Sequence, residues 1–110
     1  MALQNNRINT LLGFLEEDQG DSFVRFALAK EYEKSGLLKE ALDTFIELQK
    51  RDPDYVGLYY HLGALYENLS DKSSAKETYD LGIAVTKKAA DFHALSELHT
   101  ARTNIDIESV

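Results

Sequence analysis

The sequence repeats itself with a period of 34 residues, and this feature constrains its fold more than any other. Residue types recur between the two copies at positions that alternate between large apolar and small. A fixed period of this length is the signature of stacked helical repeats, in which each unit buries its apolar face against its neighbours. The matching pairs are Leu28 and Leu62, Ala29 and Gly63, Tyr32 and Tyr66, Ala41 and Ala75, and Phe45 and Tyr79.

Helical periodicity is nearly continuous along the chain and strand patterns are almost absent, which predicts an all-α fold. Gly36 is suited to end a helix in the left-handed conformation, and Pro53 cannot continue one. Asp21, Asp54 and Ser70 or Asp71 are candidate helix N-caps. Connections of two to four residues predict antiparallel helix hairpins. The six predicted helices cover about 5–18, 22–35, 38–52, 55–69, 72–87 and 90–106.

The two copies resemble the tetratricopeptide repeat, whose pattern is W-x₂-L-G-x₂-Y, then A-x₃-F, then P. The second copy reads Tyr59-x₂-Leu62-Gly63-x₂-Tyr66 and Ala75-x₃-Tyr79. The first reads Arg25-x₂-Leu28-Ala29-x₂-Tyr32, then Ala41-x₃-Phe45, then Pro53. Arg25 replaces the aromatic residue, and Lys87 stands where the second copy would have Pro. The resemblance implies an α-α superhelix, or solenoid, of antiparallel helix hairpins.

A single tetratricopeptide repeat domain is predicted over 1–110. Its parts are an N-terminal half-repeat helix (5–18), repeat 1 (22–55), repeat 2 (56–88), a C-terminal capping helix (89–106) and a frayed tail (107–110). The capping helix fails the pattern in strict 34-residue phase, but slipped by one residue it reads Phe92-x₂-Leu95-Ser96-x₂-His99. This register predicts a connection that is one residue shorter and a partly buried His99.

The resemblance also implies where a partner binds, because the first helix of each repeat lines the concave surface in this family. The chain is therefore expected to be a non-catalytic protein–protein interaction module that takes a peptide or helix of a partner. Tyr60 is the one aromatic residue of its stretch that the repeat does not require, and an alternative is that Phe26 and Tyr60 pack on the capping helix. The predicted groove residues are Phe23, Phe26, Lys30, Glu33, Lys34, Tyr60, His61, Ala64, Glu67, Asn68, His93 and Glu97, with Ala90 and Ala101 beside them.

A second hypothesis is a homo-oligomeric scaffold, such as a homodimer, that associates through its terminal helices. The half-repeat helix lacks its partner helix, so its apolar positions are expected to be only partly covered. An uncapped face of this kind suits an isologous interface. The apolar positions are Ile8, Leu11, Leu12, Phe14 and Leu15.

The composition of the chain argues against several other classes of function. The net charge of -7 argues against nucleic acid and anionic membrane surfaces, which both require clustered Lys and Arg. There is no cysteine, so neither disulfides nor thiolate chemistry is expected. No apolar run is long enough to span a membrane, and the N-terminus lacks the pattern of a signal peptide, so the expected compartment is the cytoplasm.

No catalytic or metal site is predicted. His93 and Glu97 share a helical face at i,i+4 spacing, but His99 is six residues from His93 and lies on another face. Ligands on one helix are expected at i,i+3 or i,i+4. We therefore expect no enzyme activity, no cofactor and no bound metal, and an enzyme hypothesis would need a metal near His93.

Overall fold

A computed structural model describes residues 6–108, and these residues form six α-helices without a strand. The all-α prediction is confirmed, and every predicted helix end within the described residues lies within two residues of the observed one. The predicted helical residue 5 and residues 109 and 110 of the predicted tail lie outside the described part. The helices are α1 (Asn6–Glu17), α2 (Ser22–Lys34), α3 (Leu38–Arg51), α4 (Gly57–Asn68), α5 (Lys72–Ala89) and α6 (Phe92–Glu108).

The chain divides into two compact units, the first ending at Pro53 and the second beginning at Asp54. In the first unit, α2 packs against both α1 and α3. In the second unit, α5 packs against both α4 and α6, and α4 also contacts α6. The short connections make consecutive helices antiparallel, so each unit is a set of helix hairpins.

The repeated positions form the interior of each unit, which explains why they recur. The large residues fill the space between helices, and the small ones let backbones approach closely. The residues that lie in the interior are Leu28, Ala29, Ala41 and Phe45 in the first unit and Leu62, Gly63, Ala75 and Tyr79 in the second.

Arg25, which replaces the expected aromatic residue, is also buried. Its guanidinium donates a hydrogen bond of 2.7 Å to the carbonyl of Gln19, which satisfies part of its hydrogen-bonding capacity. Burial, with a smaller contribution from the nearby Arg51, lowers the pKa of Arg25. The long Arg25 side chain, with its guanidinium hydrogen-bonded, thus occupies the position at which the repeat pattern has an aromatic residue.

Three helices end in the same left-handed turn. Gly36 has φ of 79°, as predicted from its position, and the same turn is made by Ser70 at 62° and Ala90 at 57°. In each case the next N–H donates back across the turn, as Leu37 does to the carbonyl of Tyr32 at 2.9 Å. This is the Schellman arrangement, which satisfies carbonyls at the helix end.

Ala90→Gly is expected to raise the free energy of unfolding by about 0.5–1 kcal/mol, because glycine removes the left-handed penalty but loses more chain entropy. Gly36→Ala is the matched reverse change and is expected to lower stability by about 1 kcal/mol. Urea unfolding followed by circular dichroism measures both. An Ala90→Gly variant that is less stable than wild type would contradict the left-handed conformation of Ala90.

Side-chain N-caps follow the predictions in two of three places. The carboxylates of Asp21 and Asp71 accept hydrogen bonds of 3.0 Å from the N–H groups of Val24 and Ser74. The prediction for Asp54 is wrong, because α4 begins at Gly57 and has no side-chain cap. The chain enters α4 through a backbone turn instead, in which the Leu58 N–H donates to the Tyr55 carbonyl at 3.2 Å.

The predicted register of the capping helix is wrong. Leu98 and Ile105 are the buried residues of α6, whereas Ser96 and His99, which the slipped register placed toward the interior, are exposed. Phe92, the expected packing aromatic, is 70% exposed. Leu98 lies 36 positions after Leu62, so the connection is two residues longer than the repeat period and not one residue shorter.

The length of α5 explains this shift. Helix α3 has 14 residues and stops just before Asp52 and Pro53, but α5 has 18 residues and continues through Lys87. Lys87 has the N–H that proline lacks, so nothing ends the helix at that position. Ile107 and Glu108, predicted to be in a frayed tail, are therefore the last residues of α6.

Candidate functional site

A cleft of about 400 Å³ lies in the second unit, with α4 on one side and α6 on the other. Five of the predicted groove residues line it, as does Ala101, and the cleft brings together positions more than 30 residues apart in the sequence. The described residues that line it are Tyr60, Ala64 and Glu67 from α4, Tyr79 from α5, and His93, Ser96, Glu97, Thr100, Ala101, Asn104 and Glu108 from α6.

Tyr79 reaches the cleft from the interior because Gly63 leaves room for its ring. A Cβ atom on Gly63 would overlap the ring of Tyr79, with Cε1 as the nearest atom. The Tyr79 hydroxyl donates a hydrogen bond of 2.5 Å to Oε2 of Glu67. Burial, together with the Glu67 carboxylate, raises the pKa of Tyr79, so the phenol stays protonated and holds this carboxylate in place.

Tyr60 is the exposed aromatic residue of the cleft. Its side chain lies edge-on to the ring of His61, with ring centroids 5.6 Å apart. About 41% of Tyr60 remains exposed although α6 forms the other side of the cleft. The capping helix therefore leaves accessible surface on this ring, and an aromatic side chain in that position presents a large area to a bound group.

The charge of the cleft is negative. Glu67, Glu97 and Glu108 contribute carboxylates, and none of the described residues that line the cleft is Lys or Arg. His93 lies beside Glu97, with Nε2 and Oε2 3.7 Å apart, and both side chains are largely exposed.

The predicted groove residues of the first unit have a different environment. The ring of Phe26 is half-buried and packs edge-on against Phe45 at 6.2 Å between centroids. The ammonium of Lys30 lies 6.0 Å from the centroid of the Phe26 ring. Phe26 therefore packs on a residue of its own unit, and Phe23 is the strongly exposed aromatic residue of α2.

The other predicted groove residues of α2 and α4, and Ala90 after α5, do not line the cleft. Glu33 is half-buried, which raises the pKa of its carboxyl group, and Lys34 is exposed. His61 and Asn68 of α4 are half-buried and exposed, respectively, but contribute nothing to the lining. Ala90, on the expected concave surface, instead forms the left-handed turn after α5.

Sequence reasoning missed Tyr79 and four residues of α6. Tyr79 belongs to the repeat framework, and that buried role concealed its place in the lining of the cleft. The α6 residues were detectable, because the helical stripe that starts at His93 and Glu97 continues at steps of three and four residues. The missed residues are Tyr79, Ser96, Thr100, Asn104 and Glu108.

Within residues 6–108, no group of three or more His, Cys, Asp or Glu side chains is arranged to hold a metal ion. None of the helices in this part of the chain combines the length and apolarity that crossing a bilayer requires.

The comparisons with known proteins agree on one family. The family model for the tetratricopeptide repeat matches residues 56–88. A tetratricopeptide repeat domain protein from Salinibacter ruber, known from a crystal structure, is 45% identical, with a TM-score of 0.75 over 78% of this chain and 96% of that one. A solution structure of such a domain protein from the same organism is 46% identical, with a TM-score of 0.75 over 77% and 86%.

A more distant likeness concerns the fold alone. The solution structure of a protein from Bordetella parapertussis is 22% identical and has a TM-score of 0.79, covering 92% of this chain and 88% of that one. The search of curated proteins found no match.

Proposed function

Since this chain belongs to the tetratricopeptide repeat family, whose domains generally bind protein partners, we propose that it is a non-catalytic interaction module. It binds a peptide or helical segment of a partner protein in the cleft between α4 and α6 of the second unit.

The single observation that supports this proposal most strongly is the exposed Tyr60 in a cleft of about 400 Å³. Binding energy concentrates in aromatic anchors that fill recesses, and the surrounding polar groups add hydrogen bonds. Ser96, Thr100 and Asn104 provide such groups along α6. A segment lying in the cleft would cover Tyr60 and meet these side chains in turn.

The proposal is tested by selecting binders from a displayed library of random 12-residue peptides. We expect peptides that bind with a micromolar Kd, and we expect Tyr60→Ala to weaken binding about tenfold. Leu81→Ala is the matched control, because Leu81 is an exposed apolar residue of α5 that does not line the cleft. Fluorescence anisotropy gives the affinities, and amide chemical shifts show which helices the peptide touches.

Failure to select any binder would contradict the proposal. Equal loss of affinity in Tyr60→Ala and Leu81→Ala would show that the peptide binds outside the cleft. Amide chemical-shift changes confined to α1 and α3 would show the same. Circular dichroism of each variant confirms that the helices remain folded.

A second candidate function is self-association through α1. Leu12 and Phe14 are exposed large apolar residues, and a hollow of about 240 Å³ is lined by Leu11 and Phe14 beside Arg7. Two copies meeting at this helix would cover these side chains. Light scattering at high micromolar concentration decides the question, and a monomer there would exclude this candidate.

A further inference from the structure

We propose that the segment bound in the cleft between α4 and α6 is basic, carrying Arg or Lys side chains that enter beside Tyr60. This inference rests on the proposed function and adds the chemistry of the partner. The occupant is a stretch of another protein, because a peptide backbone uses the polar groups of α6 while its cationic side chains meet the carboxylates.

Charge complementarity is the first argument. Carboxylates stand on both sides of the cleft, Glu67 on α4 and Glu97 and Glu108 on α6. The described lining contains neither Lys nor Arg, and its basic side chain is His93, which lies 3.7 Å from Glu97 and leaves Glu67 and Glu108 without a cationic neighbour in the lining. An acidic or neutral segment would leave them uncompensated, whereas a cationic one pairs with them and is attracted at long range by the net charge of -7.

The carboxylate of Glu67 is held in position before any cationic side chain of a partner binds to it. Its Oε2 accepts the hydrogen bond from the buried Tyr79 hydroxyl, which restricts the side chain and still leaves acceptor positions on the carboxylate. A group that is already held in place loses less conformational entropy when a guanidinium or ammonium binds. Burial and the carboxylate keep the phenol protonated, so this support persists across the pH range of ordinary assays.

Tyr60 supplies the second argument. An exposed aromatic face attracts a cation through its quadrupole, and arginine also stacks on such a face. Tyr60 and Glu67 lie on the same face of α4, seven residues or about two turns apart, and both line the cleft. The long side chain of Arg or Lys meets an apolar ring along its stem and a carboxylate at its head.

The cations of the neighbouring surface are already paired. Arg102 of α6 forms ion pairs with Asp80 of α5 at 3.0 Å and with Asp106 at 2.8 Å. Lys76 lies 3.5 Å from the same Asp106. These pairs join α6 to α5, and none of their members lines the cleft. Glu67 and Glu108 therefore have no Lys or Arg partner within the described lining and are open to an external cation.

The test uses the full chain and three synthetic 12-residue peptides of equal length, in which four positions are Arg, Gln or Glu. We expect measurable binding for the Arg peptide and at least tenfold weaker binding for the other two. Raising NaCl from 50 to 500 mM is expected to weaken the Arg peptide several-fold, because salt screens exposed charges. The salt series uses the unaltered protein, so its outcome does not depend on any variant folding.

Variants then locate the interaction. Glu67→Gln and Glu97→Gln are each expected to weaken the Arg peptide about three- to fivefold, while Tyr60→Phe binds like wild type and Tyr60→Ala loses a similar factor. Glu77→Gln is the control, because it removes the same charge from an exposed position of α5 outside the cleft. Equal loss in Glu77→Gln and Glu67→Gln would overturn the proposal by showing that only net charge matters.

The two proposals fail in different ways. If the peptides selected from the random library map to the cleft but are neutral or acidic, the basic partner is wrong and the interaction module stands. If no peptide of any composition binds the chain, the interaction module fails and the basic segment fails with it. Selection of Arg- and Lys-rich peptides that lose affinity in Glu67→Gln supports both.

Discussion

Leu98→Ala is expected to lower the free energy of unfolding by about 2–5 kcal/mol, because it opens a cavity in a fully packed interior. Leu98 is 1% exposed, and its Cδ1 atom lies against the backbone of Gly82 in α5. It is one of the two buried residues of α6 and packs on α5 at Gly82, near the middle of both helices. Urea unfolding followed by circular dichroism measures the change.

His99→Ala is the matched control for this experiment. His99 is the neighbouring residue and is exposed, so its truncation is expected to change stability by less than about 0.5 kcal/mol. The register inferred from the sequence made His99 partly buried, which predicts a larger loss of stability in that variant than an exposed residue gives. A larger loss for His99→Ala than for Leu98→Ala would therefore contradict the observed packing of α6.

Gly82→Ala is expected to cost about 1–3 kcal/mol through overpacking. A Cβ atom at this position would lie 2.5 Å from Cβ of Tyr59 and 3.0 Å from Cδ1 of Leu98. The first contact is the severe one, because Cβ of Tyr59 is fixed to its backbone and moves only if α4 moves. The intrinsic preference of helices for alanine opposes this cost but is smaller.

Gly13→Ala is the matched control, since Gly13 also lies inside a helix but has nothing within 4 Å of an added Cβ. Its stability is expected to rise by about 0.5–1 kcal/mol, because alanine loses less chain entropy in a helix. The two Gly→Ala changes should thus have opposite signs in the same thermal or urea measurement. Stabilisation in both would show that the close approach at Gly82 relaxes at little cost.

The repeat framework has a functional consequence that goes beyond packing. Gly63 admits the ring of Tyr79, and the Tyr79 hydroxyl then holds Glu67 in the cleft. The same residues that make the hairpin of α4 and α5 compact therefore position a carboxylate of the candidate site. We infer that the site is supported by buried residues of the fold and not by surface residues alone.

The sequence predicted most of the fold because helical periodicity and a 34-residue repeat are local and regular signals. Gly36, Asp21 and Asp71 act at the helix ends as expected, since capping depends on the few residues around each end. The resemblance predicted that Tyr60, Ala64 and Glu67 share one face of α4, and these three residues line the same cleft. Helix ends and the residues that share one helix face both follow from the local spacing of residues along the chain.

The register of α6 was not predictable in the same way. It depends on how far α5 continues, and the absence of a proline at Lys87 indicates only that α5 need not stop there. The end of the longer α5 sets the position at which α6 begins. As a result, Leu98 packs at Gly82 while His99 faces solvent. A shift of one or two residues rotates a helix by 100° or 200°, so a small error in length reverses its buried face.

The sequence by itself determined six helices, their pairing into hairpins, and which residues of each repeat are buried, because these follow from spacing, residue size and the turn-forming residues. Only the tertiary structure decided that Phe26 packs on Phe45 while Tyr60 stays exposed beside α6. Both are aromatic residues on the first helix of a repeat, and nothing in their own helices distinguishes them. Exposure depends on what the neighbouring helices cover, and that is set by packing between segments distant in the sequence.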